Sequence, residues 1–437
     1  MRKYCMLIAG LLVGLSTSAA AQTPPPEEME DEYGNFWVRI GPSEFASEES
    51  AEDPDADAAG APVDERSDEE LSDEELASLL RPFTTIEGWD YELREPPYEW
   101  VQRIRAANYE EWTAEGSLGE LGGSYEEPEE EGDSTFGSEG SPTSSGVDSL
   151  AAFTTLEGGG GSTCGIFNAD NRTERRDNLS YPQRTVVALS GNGRCTGVLI
   201  GRNTILTAAH CVWDKSRGVW KNEFWAPAPD AKTGIESGAN GWNDMRYHST
   251  DPRPHIHAGG SKPHRGLPWD PSTGSLSGAG LAQKKCWKVT VPRGYKDTSQ
   301  TKWDFAVIDV QCGLRPGDAL GWMSWGFSSK SSIESKHYWG IGFPANIGHH
   351  WPVAWGMKHT NMCHVGEHQV QTHMDFCAGQ SGTPIHHWTN GKPKVFAIWT
   401  QYDSWSFNCG THNLGRKITS TVIEYVRGTS PSAVPGT

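Results

Sequence analysis

From residue 164 onward the chain is built of short apolar runs punctuated by Gly, Pro and Asn. "RTVVAL", "CTGVLI", "TILTAA", "DFAVIDV", "KVFAIW" and "STVIEYV" are the clearest of them. Many strand-length runs with turn signals between them predict an all-β barrel or sandwich. The last run can equally begin a C-terminal helix, "STVIEYVR". Residues 222–283 break the pattern with "APAPDAKTG", "DPRPHIHAGGSKPHRG" and "PSTGSLSGAG". They read as a long loop insertion rather than framework.

Residues 22–163 have a different texture, rich in Glu, Asp, Ser, Pro and Gly and poor in β-branched residues. Such a composition buries too little apolar surface to hold a fold alone, so a largely disordered acidic segment is expected. Two helical patterns interrupt it. In "SDEELSDEELASLL" (67–80), Ser67 can cap a helix with Glu70 three residues on, and Leu71, Leu76, Leu79 and Leu80 give a partial apolar stripe. A weaker pattern runs through "YEWVQRIRAANYEEW" (98–112). The segment then passes into "GSEGSPTSSG" and "EGGGGST", a flexible tether ending near residue 163.

Charge sharpens this division. Residues 22–163 hold 38 Asp and Glu against 6 Arg, a net −32, while residues 164–437 hold 19 acidic against 29 basic residues, a net +10. Opposite charges of this size attract the two parts to each other at low salt. The basic residues of 164–437 are scattered, with no run longer than two, so nucleic acid is not an expected partner.

The first 21 residues carry Arg2 and Lys3, the apolar run "CMLIAGLLVGL" and then "STSAAA". That is a secretory signal with small residues at its exit, expected to be cleaved after Ala21. Its apolar run is about half the length of a membrane span. Cys5 precedes the run, which argues against a lipoprotein anchor, and no later segment suits a bilayer. The reading is an exported protein, periplasmic or extracellular, with no membrane partner. Apart from Cys5, the eight cysteines all lie in 164–437, and an even number in an exported chain points to disulfides. No C-x-x-C pair supports a metal site.

Three local patterns carry chemistry. His210 follows an apolar strand in "LTAAHCV", and Cys195 lies sixteen residues before Cys211, where it could staple that loop. Asp304 opens the apolar strand of "KWDFAVIDV", a place where a carboxylate can be buried at a barrel rim. Ser381 sits in Gly379-Gln380-Ser381-Gly382, whose glycines let the N–H groups of Gly379 and Ser381 point at one oxygen. A serine hydroxyl needs a base to take its proton. A histidine oriented by a buried carboxylate supplies that base, and paired N–H groups hold the oxyanion. Each pattern alone is common by chance. In the order His, Asp, Ser, each in its expected setting, they are specific.

"LTAAHC", "WDFAVI" and "GQSGTP" together resemble the chymotrypsin-like serine proteases, over essentially all of 164–437 and none of 22–163. Within that family, "IFNADNRTERRDNLSYPQRTVVAL" and "GWMSWGF" are similar to bacterial glutamyl endopeptidases, as is Gln rather than Asp before the serine. The resemblance implies two six-stranded antiparallel β-barrels with the site between them in a protease domain at 164–437, which follows the signal at 1–21 and the prosegment and linker at 22–163. It implies His210 as general base, Asp304 as its orienter, Ser381 as nucleophile, and Gly379 and Ser381 as oxyanion donors. The long stretch between His210 and Asp304 departs from the family pattern. The function implied is a secreted serine endopeptidase acting on proteins or peptides, made with its own acidic prosegment as partner. It is expected to be a monomer with no cofactor and no metal. The alternative is a catalytically silent pseudoprotease that binds a partner.

The resemblance also bears on activation and specificity. In trypsin the residue before the serine is Asp, which pairs with a new amino terminus. Gln380 has no charge to offer an ammonium, so activation by that ion pair is not expected, and the acidic segment would instead cover the cleft or assist folding. Asp375 stands at the offset that trypsin uses for binding Arg or Lys side chains. Phe376 follows it, and Trp399, with Thr400 beside it in the pocket, stands where glutamyl endopeptidases have a histidine. An unpaired carboxylate under a Phe and a Trp is costly to bury, so Asp375 is expected to bond backbone N–H groups and not to confer tryptic specificity. Disulfide Cys195–Cys211 is implied. Cys377 pairs with Cys409 as in trypsin, or with Cys363, since spacing does not decide, and Cys286–Cys312 would flank the Asp304 strand. His255 with His257, or His349 with His350, are weak metal candidates, and the 19 Trp show no repeat that would suggest a carbohydrate surface.

Overall fold

The computed structural model describes, with short gaps, residues 26–44, 68–107, 164–221, 287–310 and 317–435, together with three strands between 224 and 256. The signal at 1–21, residues 108–163 with the end of the 98–112 pattern and the tether, most of the 222–283 insertion, Cys286, Cys312, His257, His349, His350 and the side chain of His255 lie outside the described residues.

Two β-sheets carry the fold. In 164–437 the first contains six strands, in the order Phe224–Pro227, Val186–Ser190, Arg194–Leu199, Thr204–Thr207, Ala306–Val310, Trp287–Pro292. Thr204–Thr207 and Ala306–Val310 are buried at every position. This explains why they read as continuous apolar runs rather than as alternating ones. The second sheet has nine strands, with Lys392–Ser406 at its centre between Pro384–Thr389 and Gly410–Lys417. Pairing is antiparallel throughout both, except where Ser324–Trp325 runs parallel to Lys392–Ser406. The chain ends in the helix Ser420–Thr429, which returns to the first sheet and sets Tyr425 edge-on to Phe305 at 5.2 Å. The protein is thus all-β with a C-terminal helix.

Within the acidic segment, the described residues 26–44 and 68–107 are ordered. Its described parts form four strands that continue the first sheet to ten, in the order Pro82–Ile86, Trp89–Leu93, Phe36–Pro42, Glu28–Glu30. Thr84 registers with Thr290 and Phe83 with Val291, so Pro82–Ile86 covers the edge of Trp287–Pro292. An exposed edge offers a row of unpaired backbone groups, and here the chain's own segment takes them. This agrees with a segment that does not fold alone, because its described strands are held by pairing to 164–437. Its few apolar residues are placed to complete a core that 164–437 already supplies.

Two helices complete this layer. Asp73–Leu80 is capped by Ser72, whose Oγ accepts the Glu75 N–H at 3.1 Å. Ser67, the expected cap, lies outside the described residues. Ser72 is its counterpart in the second copy of the repeat, and the helix that it caps turns Leu76, Ala77 and Leu80 to the core. Tyr98–Ala106 buries Trp100, Val101 and Ile104. Phe83 meets Trp213 and Trp220 at 5.0 and 4.9 Å, and each such fully buried side chain contributes roughly 1.5–3 kcal/mol. Charge adds specific pairs. Lys288 and Asp31 meet at 2.8 Å with both side chains buried. Burial alone would raise the Asp31 carboxyl, but Lys288, the Trp37 indole N–H and the Asn35 N–H hold it below its usual range. Arg103 reaches Glu424 on the C-terminal helix at 2.5 Å.

Candidate active site

His210 lies in the short 3-10 turn Ala209–Cys211, directly after the buried strand Thr204–Thr207. Asp304 closes the turn Thr301–Trp303, just before Ala306–Val310. These two strands are hydrogen-bonded neighbours, Ala306 opposite Thr207, so the sheet itself brings imidazole and carboxylate together. Asp304 Oδ2 is 2.7 Å from His210 Nδ1, and its Oδ1 accepts the His210 backbone N–H at 3.0 Å. Both carboxylate oxygens are therefore committed to one histidine, fixing its orientation. His210 is fully buried and Asp304 nearly so. Asp309, further along the same strand, accepts from Tyr33, Asn203 and Ser430, a structural role.

Ser381 belongs to the second half of the molecule, in a turn whose shape depends on its glycines. Gly379 and Gly382 have φ of 87° and 84°, a region that favours glycine. A Cβ on Gly382 would fall 1.9 Å from the carbonyl oxygen of Thr196. Thr196 is the bridge between the halves. Its N–H donates to Ser381 O at 2.7 Å and its Oγ1 donates to Gly379 O at 3.1 Å. The neighbouring Cys195 is joined to Cys211, and Cys211 Sγ lies 3.6 Å from Ser381 O. The backbones of Ser381 and of the His210 turn are thus held against each other. Cys195, His210 and Cys211 also lie close enough for a metal, but both sulfurs are spent in the disulfide and no thiolate is left to ligate.

The disulfide expected between Cys377 and Cys409 is not formed, nor is the alternative Cys363–Cys377. Cys377 joins Cys164, and Cys363 joins Cys409. The reason is that Cys164–Gly165 pairs as a strand with Phe376–Cys377, placing Cys164 beside Cys377 across 213 residues of sequence.

That fold-back also settles where Asp375 points. The residue is fully buried, and its carboxylate accepts the backbone N–H groups of Phe167 at 2.7 Å and Asn171 at 3.0 Å. Burial pushes its pKa up to about 6, against those two hydrogen bonds. Phe376 stacks on Trp399 at 4.9 Å, both fully buried, and Thr400 is buried beside them. Gln380 is buried too, and its Oε1 accepts from Cys377 N–H at 3.0 Å and from Arg172 Nη1 at 2.7 Å. Sequence reasoning missed Arg172 and Asp170 as partners of this turn. Their signal is the closely spaced Asp and Arg of "NADNRT".

The Trypsin family profile matches residues 172–232, which include His210. The glutamyl endopeptidase of Bacillus licheniformis is 24% identical over 279 residues, 61% of this chain and 70% of that protein. An extracellular metalloprotease of Bacillus subtilis is 24% identical over 272 residues, 60% of this chain and 68% of that one. Among solved structures, a Glu endopeptidase in complex with MPD aligns with a TM-score of 0.41 at 19% identity, covering 61% of this chain and 99% of that chain. A thermostable serine protease from an extremophilic microorganism aligns at 0.35 and 13%, covering 57% and 97%. The chain is similar to the trypsin-like serine proteases over the part that holds His210. Its class of activity is serine endopeptidase, with proteins or peptides as substrates.

Proposed function

We propose that this chain is an exported endopeptidase that cleaves peptide bonds through an acyl-enzyme on Ser381. The observation that carries the reading is the double contact of Asp304 with His210. With the Nδ1 proton held by Asp304, Nε2 is the basic nitrogen of the ring. Ser381 Oγ attacks the scissile carbonyl carbon as His210 Nε2 takes its proton, and the Gly379 and Ser381 N–H groups hold the oxyanion. The imidazolium, stabilised by Asp304, then protonates the leaving amine. Water, activated by the same histidine, attacks the ester and releases the acid, restoring Ser381. Residues 1–21 act as export signal, 164–437 as the protease, and 22–163 as prosegment and tether. The docked layer supports a folding role for the prosegment. No homo-oligomer is required.

Asp375 spends its carboxylate on backbone N–H groups, which supports a primary pocket narrowed by Phe376 and Trp399 and without tryptic specificity. Profiling on a peptide library tests both statements together. Cleavage should vanish in Ser381→Ala and fall roughly 10⁴-fold or more in His210→Ala, with no dominant Arg or Lys preference in the unmodified enzyme. A dominant basic preference abolished in Asp375→Ser would overturn the pocket reading. Undiminished cleavage in Ser381→Ala would overturn the mechanism.

A further inference from the structure

The stretch that follows the tether is sewn to the serine turn at four points. Cys164 is bonded to Cys377 and paired with it as a strand. Asn413 Nδ2 donates to Gly165 O at 3.0 Å and to Met374 O at 2.6 Å, clamping both strands together. Phe167 and Asn171 give their N–H groups to Asp375. Arg172 gives Nη1 to Gln380, between Gly379 and Ser381.

Arg172 is built for that last contact. Its side chain is only 2% exposed. Asp170 takes two of its N–H groups, Nε at 2.9 Å and Nη2 at 2.8 Å, while Trp355 lies 6.0 Å from the guanidinium. A bidentate carboxylate fixes the plane of the fork, which aims Nη1 at the Gln380 carbonyl. That same oxygen accepts the Cys377 N–H, so the amide closes the turn from Cys377 to Gln380, and Arg172 holds the amide. A cation donating to a neutral amide is a stronger bond than a neutral pair. All partners are internal residues, so none of these contacts needs a free amino terminus.

We propose that Arg172 is a positioning residue for the oxyanion turn. It orders Gly379 and Ser381 when the chain folds, so the reactivity of Ser381 does not wait for cleavage in the tether. This rests on the endopeptidase reading above, and its test is arranged to stand apart from it. The full-length protein is compared with Arg172→Met, Arg172→Lys and Asp170→Asn, the last a milder change that leaves the guanidinium in place. Amide hydrogen exchange over 376–383, followed in a Ser381→Ala background, needs no activity at all. Exchange there should speed at least tenfold in Arg172→Met, less in Asp170→Asn, and return toward the parent rate in Arg172→Lys, with the strand Ala306–Val310 unchanged. In the active protein Arg172→Met should lower kcat about 10- to 100-fold, below the loss of a whole oxyanion donor, while KM stays within about threefold. Parent-like exchange over 376–383 in both Arg172→Met and Asp170→Asn would overturn the proposal. So would a tenfold or larger rise in Ser381 reactivity toward a fluorophosphonate on cutting the tether.

Discussion

His386, His387 and His368 are buried in the second sheet or at its edge, and each imidazole pKa is lowered to about 4. Burial is the main cause for all three. Lys336 and Lys394 add to it at His387, and Arg416 adds to it at His368, where Asp68 opposes. Each stays neutral in the folded chain well below the pH at which it protonates unfolded. The stability tied to these neutral forms is complete above about pH 6.5 and is lost as pH falls toward 4. Asp375, with a pKa raised to about 6, and Asp90, also raised by burial, work the other way as pH falls. His412, lowered by burial, and the lowered carboxyls of Asp31, Asp170 and Asp214 add to the loss. The melting temperature should therefore drop continuously between pH 6.5 and 4. Replacing His386, which stacks on Trp339, by Phe should flatten part of that drop. A melting temperature that holds constant or rises over this range would contradict the assignment. The chemistry of these residues was not legible in the sequence, because a histidine in "PIHHWT" shows its burial only once Pro384–Thr389 is placed between two neighbouring strands.

Elements were legible where the pattern was local. The runs ending at His210 and opening at Asp304 are buried strands, and "STVIEYVR" became the C-terminal helix because Val422, Ile423, Tyr425 and Val426 face the core. What escaped was pairing between distant pieces. Nothing near Cys164 announces Cys377, and nothing in "RPFTTI" announces that Phe83 belongs over Trp213 and Trp220. The contact between Tyr98–Ala106 and Ser420–Thr429 is of the same kind. Gly428 is bare so that the Trp100 ring can lie on it, and a Cβ there would meet Cζ2 at 1.9 Å. Gly428→Ala should thus displace the helix Tyr98–Ala106, with a cost of about 1–3 kcal/mol expected of overpacking. Trp100→Ala, which leaves a cavity, should cost about 3–5 kcal/mol. Denaturant midpoints of both variants, read with exchange rates at 98–106, check this. Parent stability in Gly428→Ala would show that the helix is not held there.

At the scale of the whole molecule, the groups proposed to react are divided between two sheets. The first sheet sets His210 against Asp304, the second shapes the turn of Ser381, and Thr196 ties them through Ser381 O and Gly379 O. The acidic layer extends the first sheet, and the stretch 164–172 braces the serine turn, so segments outside the three motifs hold them in place. This is why the motifs could be read from the sequence while their supports could not. Motif residues are constrained by chemistry at short range, whereas supports are constrained only by the shape they complete. The most direct test is mass spectrometry of the full-length protein after reaction with a fluorophosphonate, with the adduct mapped by peptide. A single adduct on Ser381, absent from Ser381→Ala and slowed at least 100-fold in His210→Ala, is the predicted result. A folded protein that takes no label at Ser381, or takes it equally fast without His210, would contradict it.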